Sequence, residues 1–193
     1  MKDIWRIFYE SFMSVRYDAM TGSSKPWYMM AIGYVLIPIS LFIILLYYRF
    51  NMGDELYSAI VGFLSLFVAL IFQVIYIATD KFASKYNDCW AESIRITKEG
   101  DDPAFMEDVD NYLIRMGNYT RLFVRQITFV LLLSIGIIIL SVLEHLYHGY
   151  RVNIVLSSIM IPLFYLWLMY MVHSIKSIYT LLMDDIDFRM KGL

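Results

Sequence analysis

Charged residues are missing from four long windows of this chain. Between Lys25 and Arg49 lie 23 uncharged residues, between Glu55 and Asp80 lie 24, between Arg125 and Glu144 lie 18, and between Arg151 and Lys176 lie 24. A helix that crosses a bilayer needs about 20 mostly apolar residues, within a range of about 17–25. All four windows meet that length. The third does so only just, and a buried core helix is the competing reading there. The pattern predicts an all-α membrane protein with four transmembrane helices. Pro38 and Pro162 interrupt the first and fourth windows, and each predicts a kink. Each proline also opens an aromatic, apolar run, which an inverted repeat or chance in so biased a sequence would both produce.

Polar and apolar positions outside the windows predict further helix. Ile4, Phe8, Phe12 and Val15 fall on one side at helical spacing, broadened by Trp5, Tyr9 and Met13, with Asp3, Arg6, Glu10 and Asp18 opposite. An amphipathic helix within residues 1–25 follows. It reads as lying along the inner leaflet, with docking on a neighbouring subunit as the alternative. Residues 80–125 carry the helix-forming pattern onward from the second window and into the third. The break falls at Lys98 to Pro103, where Asp102 can cap a new helix with Pro103 at its first position. A helical hairpin extending spans two and three is expected, projecting about 30 Å at 1.5 Å per residue. Folding it back near residue 101 brings Lys81 opposite Arg121 and Arg95 near Glu107 and Asp108. The parts are residues 1–25, an amphipathic cytoplasmic helix; 26–79, spans one and two; 80–125, the hairpin; 126–177, spans three and four; and 178–193, a cytoplasmic tail.

Charge sets the expected orientation. Of the 16 Lys and Arg, only Arg49 and Arg151 lie in the two short loops. The positive-inside rule therefore places both termini and the hairpin in the cytoplasm of a multi-pass membrane protein. Trp27, Tyr28, Tyr47, Tyr48 and Tyr147 stand at span ends, as an interfacial aromatic belt would. The first window lies too far in, and runs too long, for a cleaved signal peptide. Asn118, Tyr119 and Thr120 match a glycosylation sequon, but this topology puts them on the wrong side. Composition agrees: 60% of residues are hydrophobic and 18% charged, against about 25% charged in soluble domains. The net charge of −2 says nothing about nucleic acid, and the single cysteine, Cys89, excludes an intrachain disulfide.

Candidate chemistry is sparse. There is no Gly-rich phosphate loop and no Cys/His ligand pattern, and His145, His148 and His173 lie at span ends. No catalytic residues, metal site or cofactor are expected, and an enzyme is the weakest class. Three constellations remain. Ser58, Gly62, Ser65, Ala69, Gln73 and Tyr76 keep within about a quarter of the circumference of the second span. Such a stripe either lets helices approach closely or lines a water-filled pore. Lys81, Lys85, Arg121 and Arg125 form a basic collar just below the membrane. It either binds anionic headgroups or makes a vestibule for an anion or ligand. Asp101, Asp102, Glu107, Asp108 and Asp110 crowd the hairpin tip. They either complement a helix N-terminus or take a cation or basic partner.

The function expected is a homo-oligomeric ion channel or pore, gated by the hairpin. The alternative is a non-conducting subunit that anchors a soluble partner protein. A small carrier ranks below both, because no charge interrupts the spans. In layout the chain resembles small bacterial membrane effectors of anti-phage defence, in particular the channel partner of Hailong-type systems. The shared features are the amphipathic start from Ile4 to Val15, four short spans, and a compact helical part from Asp80 to Arg125. That resemblance implies a channel controlled by a nucleotide-derived signal from a partner enzyme, with the basic collar as its natural site. The expected partners are thus the lipid bilayer, further copies of the chain, and such a signal or enzyme.

Overall fold

The computed structural model describes residues 2–16, 23–99, 103–146 and 150–190. Helices form throughout: α1 (Lys2–Arg16), α2 (Trp27–Ala31), α3 (Ile37–Tyr47), α4 (Asp54–Glu99), α5 (Pro103–Leu146) and α6 (Tyr150–Met190). Among the described residues there are no strands, and four stretches are long and apolar enough to cross a membrane: Trp27–Tyr47, Glu55–Ile77, Asn111–Leu146 and Val152–Asp187. The fold is the expected all-α, membrane-type one. Helices α4, α5 and α6 exceed any span; at 1.5 Å per residue the 46 residues of α4 reach about 70 Å. Residues 178–190, expected as a tail, continue α6.

A π turn, Ile32–Leu36, joins α2 to α3, and the Ile37 N–H bonds the Ile32 carbonyl five residues back. Pro38 follows directly. It has no N–H to give the Tyr34 carbonyl, so the wide turn sits where the regular ladder fails. Pro162, by contrast, is carried inside α6.

The core is a seam between α5 and α6. On α5 the buried positions run Tyr112, Met116, Thr120, Phe123, Ile127, Val130, Ser134, Ile137, Ser141 and Glu144. From Met116 onward these alternate steps of four and three residues, the 3.5 average that keeps one stripe turned toward a partner helix. On α6, Ser157, Met160, Trp167 and Ser174 are buried in the same register. The small serines let the two backbones approach closely, as membrane helices commonly do. Their hydroxyls are satisfied nearby: Ser134 donates to the Val130 carbonyl at 2.9 Å and Ser174 to the Tyr170 carbonyl at 3.0 Å.

The remaining helices hang on this pair. Helix α4 packs on α5, α3 packs on α6, and α1 packs on α5. The spans thus stand in the order α3, α6, α5, α4, and α3 and α4 share no packed interface among the described residues. The 48–53 loop bridges them across the end where the two short loops lie. The Phe50 N–H bonds the Leu45 carbonyl and the Arg49 N–H bonds the Leu46 carbonyl, which closes α3 with a Schellman turn. Arg49 takes the left-handed position, φ 51°, that glycine normally fills. Met52 is then buried, its N–H 3.2 Å from Ser157 Oγ.

Trp167 ties three helices together. Its Nε1 donates to Ser134 Oγ at 2.7 Å, and its ring stacks on Phe164 and meets Phe67 of α4 edge-on at 4.9 Å. Trp167→Ala is therefore expected to cost about 3–5 kcal/mol, read as a lower melting midpoint in detergent. Arg49→Gly is expected to raise that midpoint, since it relieves about 1 kcal/mol of left-handed strain.

Candidate functional site

Helix α4 offers its core-facing side through Ile60, Leu64 and Ile71, all buried. At 100° per residue the small and polar stripe falls roughly opposite them. Ser58, Gly62, Ser65, Ala69, Gln73 and Tyr76 are all exposed, Tyr76 by 72%. A Cβ built on Gly62 meets nothing within 4 Å. The stripe is therefore not a packing seam within one chain. It presents hydroxyls, an amide and a phenol on the outer side of a membrane-spanning helix, flanked by exposed Leu66, Leu70 and Phe72.

The seam that holds the chain together lies elsewhere, and sequence reasoning missed it. Its buried amide is Gln126, whose Oε1 accepts from Ser177 Oγ at 2.8 Å. The 4–3 recurrence on α5 was the available signal, but polar Thr120, Ser134 and Ser141 sit among its apolar members and blur it. At the loop end a second polar group was missed. Ser157 Oγ donates to Glu144 Oε1, and Tyr57 Oη donates to the Ser141 carbonyl at 2.6 Å. Glu144 had marked only the end of a window; it is buried at the end of α5.

The basic collar divides. Arg121 is exposed. Arg125 is held by α1: its Nε lies 3.2 Å from Glu10 Oε2, and its carbonyl accepts from Ser11 Oγ at 3.1 Å. The side chains of Lys81 and Lys85 lie outside the described set, as do those of Arg95, Glu107, Asp108 and Asp110; Asp101 and Asp102 lie outside the described residues. Helix α5 does begin at Pro103. Toward the hairpin end of their apolar stretches, α5 finds α6: Tyr112 Oη donates to Asp185 Oδ1 at 2.9 Å, and Arg115 Nε lies 3.4 Å from Asp184 Oδ2.

Helix α1 is docked on its own chain, an arrangement the sequence reading did not include. Ser11, Ser14 and Val15 are buried and the helix packs on α5 of its own chain. The reason is local: two serines leave room for close approach, Ser14 Oγ bonds back to the Ser11 carbonyl at 2.6 Å, and the Glu10–Arg125 pair fixes the position.

Close by, Lys25 Nζ lies 3.3 Å from His173 Nε2, and His173 Nδ1 lies 3.0 Å from Tyr34 Oη and 2.9 Å from the Met169 carbonyl. The ammonium can only donate, so Nε2 accepts and the ring proton sits on Nδ1. This cluster joins the start of the first span to the far half of α6.

In comparisons with known proteins, no protein family, curated protein or solved structure matches this chain. Its function is therefore read from its own geometry. Gln126→Leu is expected to destabilise the chain by about 1–3 kcal/mol, because it strips a buried hydroxyl of its acceptor. Melting of Gln126→Leu, Ser177→Ala and the double variant checks this. The double variant should lose less than the sum of the two single variants.

Proposed function

We propose that the protein is a homo-oligomeric membrane channel whose conducting wall is built from the exposed face of α4. One observation carries this reading: the Ser58–Tyr76 stripe, with Gln73 in it, is uncovered by the rest of its own chain. An amide in the hydrocarbon region needs a hydrogen-bonding partner or a wet cavity. Another copy of the chain, or water enclosed between copies, supplies both. Four spans arranged in a row do not enclose a path by themselves. Rotational symmetry closes a ring in which each copy contributes one α4.

The rest of the reading follows from charge and continuity. The distribution of Lys and Arg supports cytoplasmic termini, and the resemblance to bacterial effectors supplies the bacterial inner membrane. Helix α4 continues without interruption from the stripe through residue 80 to Glu99, so a displacement at the hairpin end acts directly on the pore helix. Exposed Arg121, repeated once per copy, favours anions at the inner mouth. The resemblance to Hailong-type channel partners gives the gating signal a chemical class, a nucleotide-derived anion supplied by a partner enzyme.

Reconstitution in liposomes tests the proposal. The purified protein is expected to pass ions, and Gln73→Leu to change its conductance. In a Cys89→Ser background, Ser65→Cys is expected to react with a membrane-impermeant thiol reagent and to lose current on reaction. Absence of both current and labelling, under every anionic nucleotide tried, sinks the channel. Fast disulfide cross-linking of Ser65→Cys between copies, without aqueous labelling, instead identifies the stripe as a seam in a non-conducting anchor.

A further inference from the structure

A concave apolar groove of about 440 Å³ runs between α1, the π turn, α5 and α6. Tyr9 and Phe12 of α1, Tyr34 of the π turn, Phe129 and Leu133 of α5, and Tyr170 of α6 line it. Its volume lies within the roughly 300–1,000 Å³ usual for ligand pockets. The groove does not stop there. Leu163 and Leu166 also line a second hollow of about 230 Å³, which passes Pro38, Phe42 and Pro162 between α3 and α6. Sharing Leu163 and Leu166, the two hollows make one apolar track along the spans.

The Tyr34 end of this track leads to cations. The Tyr34 ring lines the groove while its hydroxyl meets His173, which in turn meets Lys25. Lys25 is bound back to back with Arg16: its N–H bonds the Arg16 carbonyl at 2.8 Å, and Arg16 Nε donates to the Lys25 carbonyl at 3.3 Å. Arg16 and Lys25 are thus joined through their backbones, and Lys25 reaches the Tyr34 end of the oily slot, its mouth, through His173. Glu10 of α1 is engaged by Arg125. His173 takes one of the three N–H donors of Lys25.

We propose that this track binds an anionic phospholipid of the leaflet on the hairpin side, with an acyl chain in the groove and the phosphate at Lys25 and Arg16. Charge complementarity selects the occupant. A neutral apolar ligand leaves the paired cations unused, and a soluble anion leaves the groove empty. Basic residues at a membrane surface attract anionic headgroups, and here the attraction is joined to a shaped slot for the tail. Helix α1 forms a wall of the slot, so a bound lipid also fastens α1 to the spans. The inference does not depend on the channel reading.

Native mass spectrometry of the full chain in detergent, with phosphatidylglycerol and phosphatidylcholine of identical acyl chains, tests it. The chain is expected to retain phosphatidylglycerol at least about fivefold more than phosphatidylcholine. Arg16→Gln with Lys25→Gln should remove that preference, by roughly five- to thirtyfold for two cations. Lys176→Gln, a nearby cation outside the mouth, should leave it intact. Leu166→Trp, which fills the track, should lower retention of both lipids; circular dichroism confirms that each variant stays helical. Glycerol phosphate in excess should displace nothing. Equal retention of the two lipids by the unmodified chain overturns the proposal. So does an unchanged preference in the double variant, and so does displacement by glycerol phosphate, which would make the mouth a site for free phosphate.

Discussion

The interface between α5 and α6 positions everything else in the chain. Its residues recur at steps of four and three along α5 and are matched by serines, Met160 and Trp167 on α6. In lipid no difference in hydrophobicity drives two apolar helices together, so close packing and interhelical hydrogen bonds must do so. Both are present here. Small hydroxyl residues bring the backbones together, and the Trp167–Ser134 and Ser177–Gln126 bonds fix the register. Helix α4 then packs on one member of the pair, α3 on the other, and the 48–53 loop crosses the end of both.

That arrangement has a consequence for the outer helices. Because the pair stands between them, α3 and α4 each have one packed side and one open side. For α3 the open side is almost wholly apolar, with Ile39, Ile43 and Ile44 exposed, which suits hydrocarbon. For α4 it includes Ser58, Ser65, Gln73 and Tyr76. The contrast between two helices in equivalent positions gives the stripe its weight: lipid satisfies one face and does not satisfy the other.

The end of the bundle toward the hairpin is organised by charge and hydrogen bonding. Glu10 holds Arg125, Ser11 holds the backbone beside it, and Lys25, His173 and Tyr34 connect the first span to α6. Helix α1 is thereby drawn onto α5 and leaves a groove beneath its own aromatic residues. Further out, Asp184 and Asp185 answer Arg115 and Tyr112, so α6 accompanies α5 toward the hairpin.

The sequence by itself determined the number of spans, the long extensions of the second and third, and the break before Pro103. These are local properties: lipid excludes charge over about 20 residues, and helix starts and stops are written in neighbouring side chains. It also determined that an amphipathic helix precedes the first span, because polar and apolar faces separate within a few turns. Only the tertiary structure decided which face of each span is covered. In a membrane helix the packed face and the lipid face are both apolar, so periodicity does not distinguish them. Gln73 and Gln126 look alike in the sequence, yet one is exposed and the other buried against Ser177. Lys25 and His173 stand 148 residues apart, and their meeting depends on the pairing of whole helices. Such pairings rest on shape and on a few hydrogen bonds between distant segments, and no local pattern encodes them.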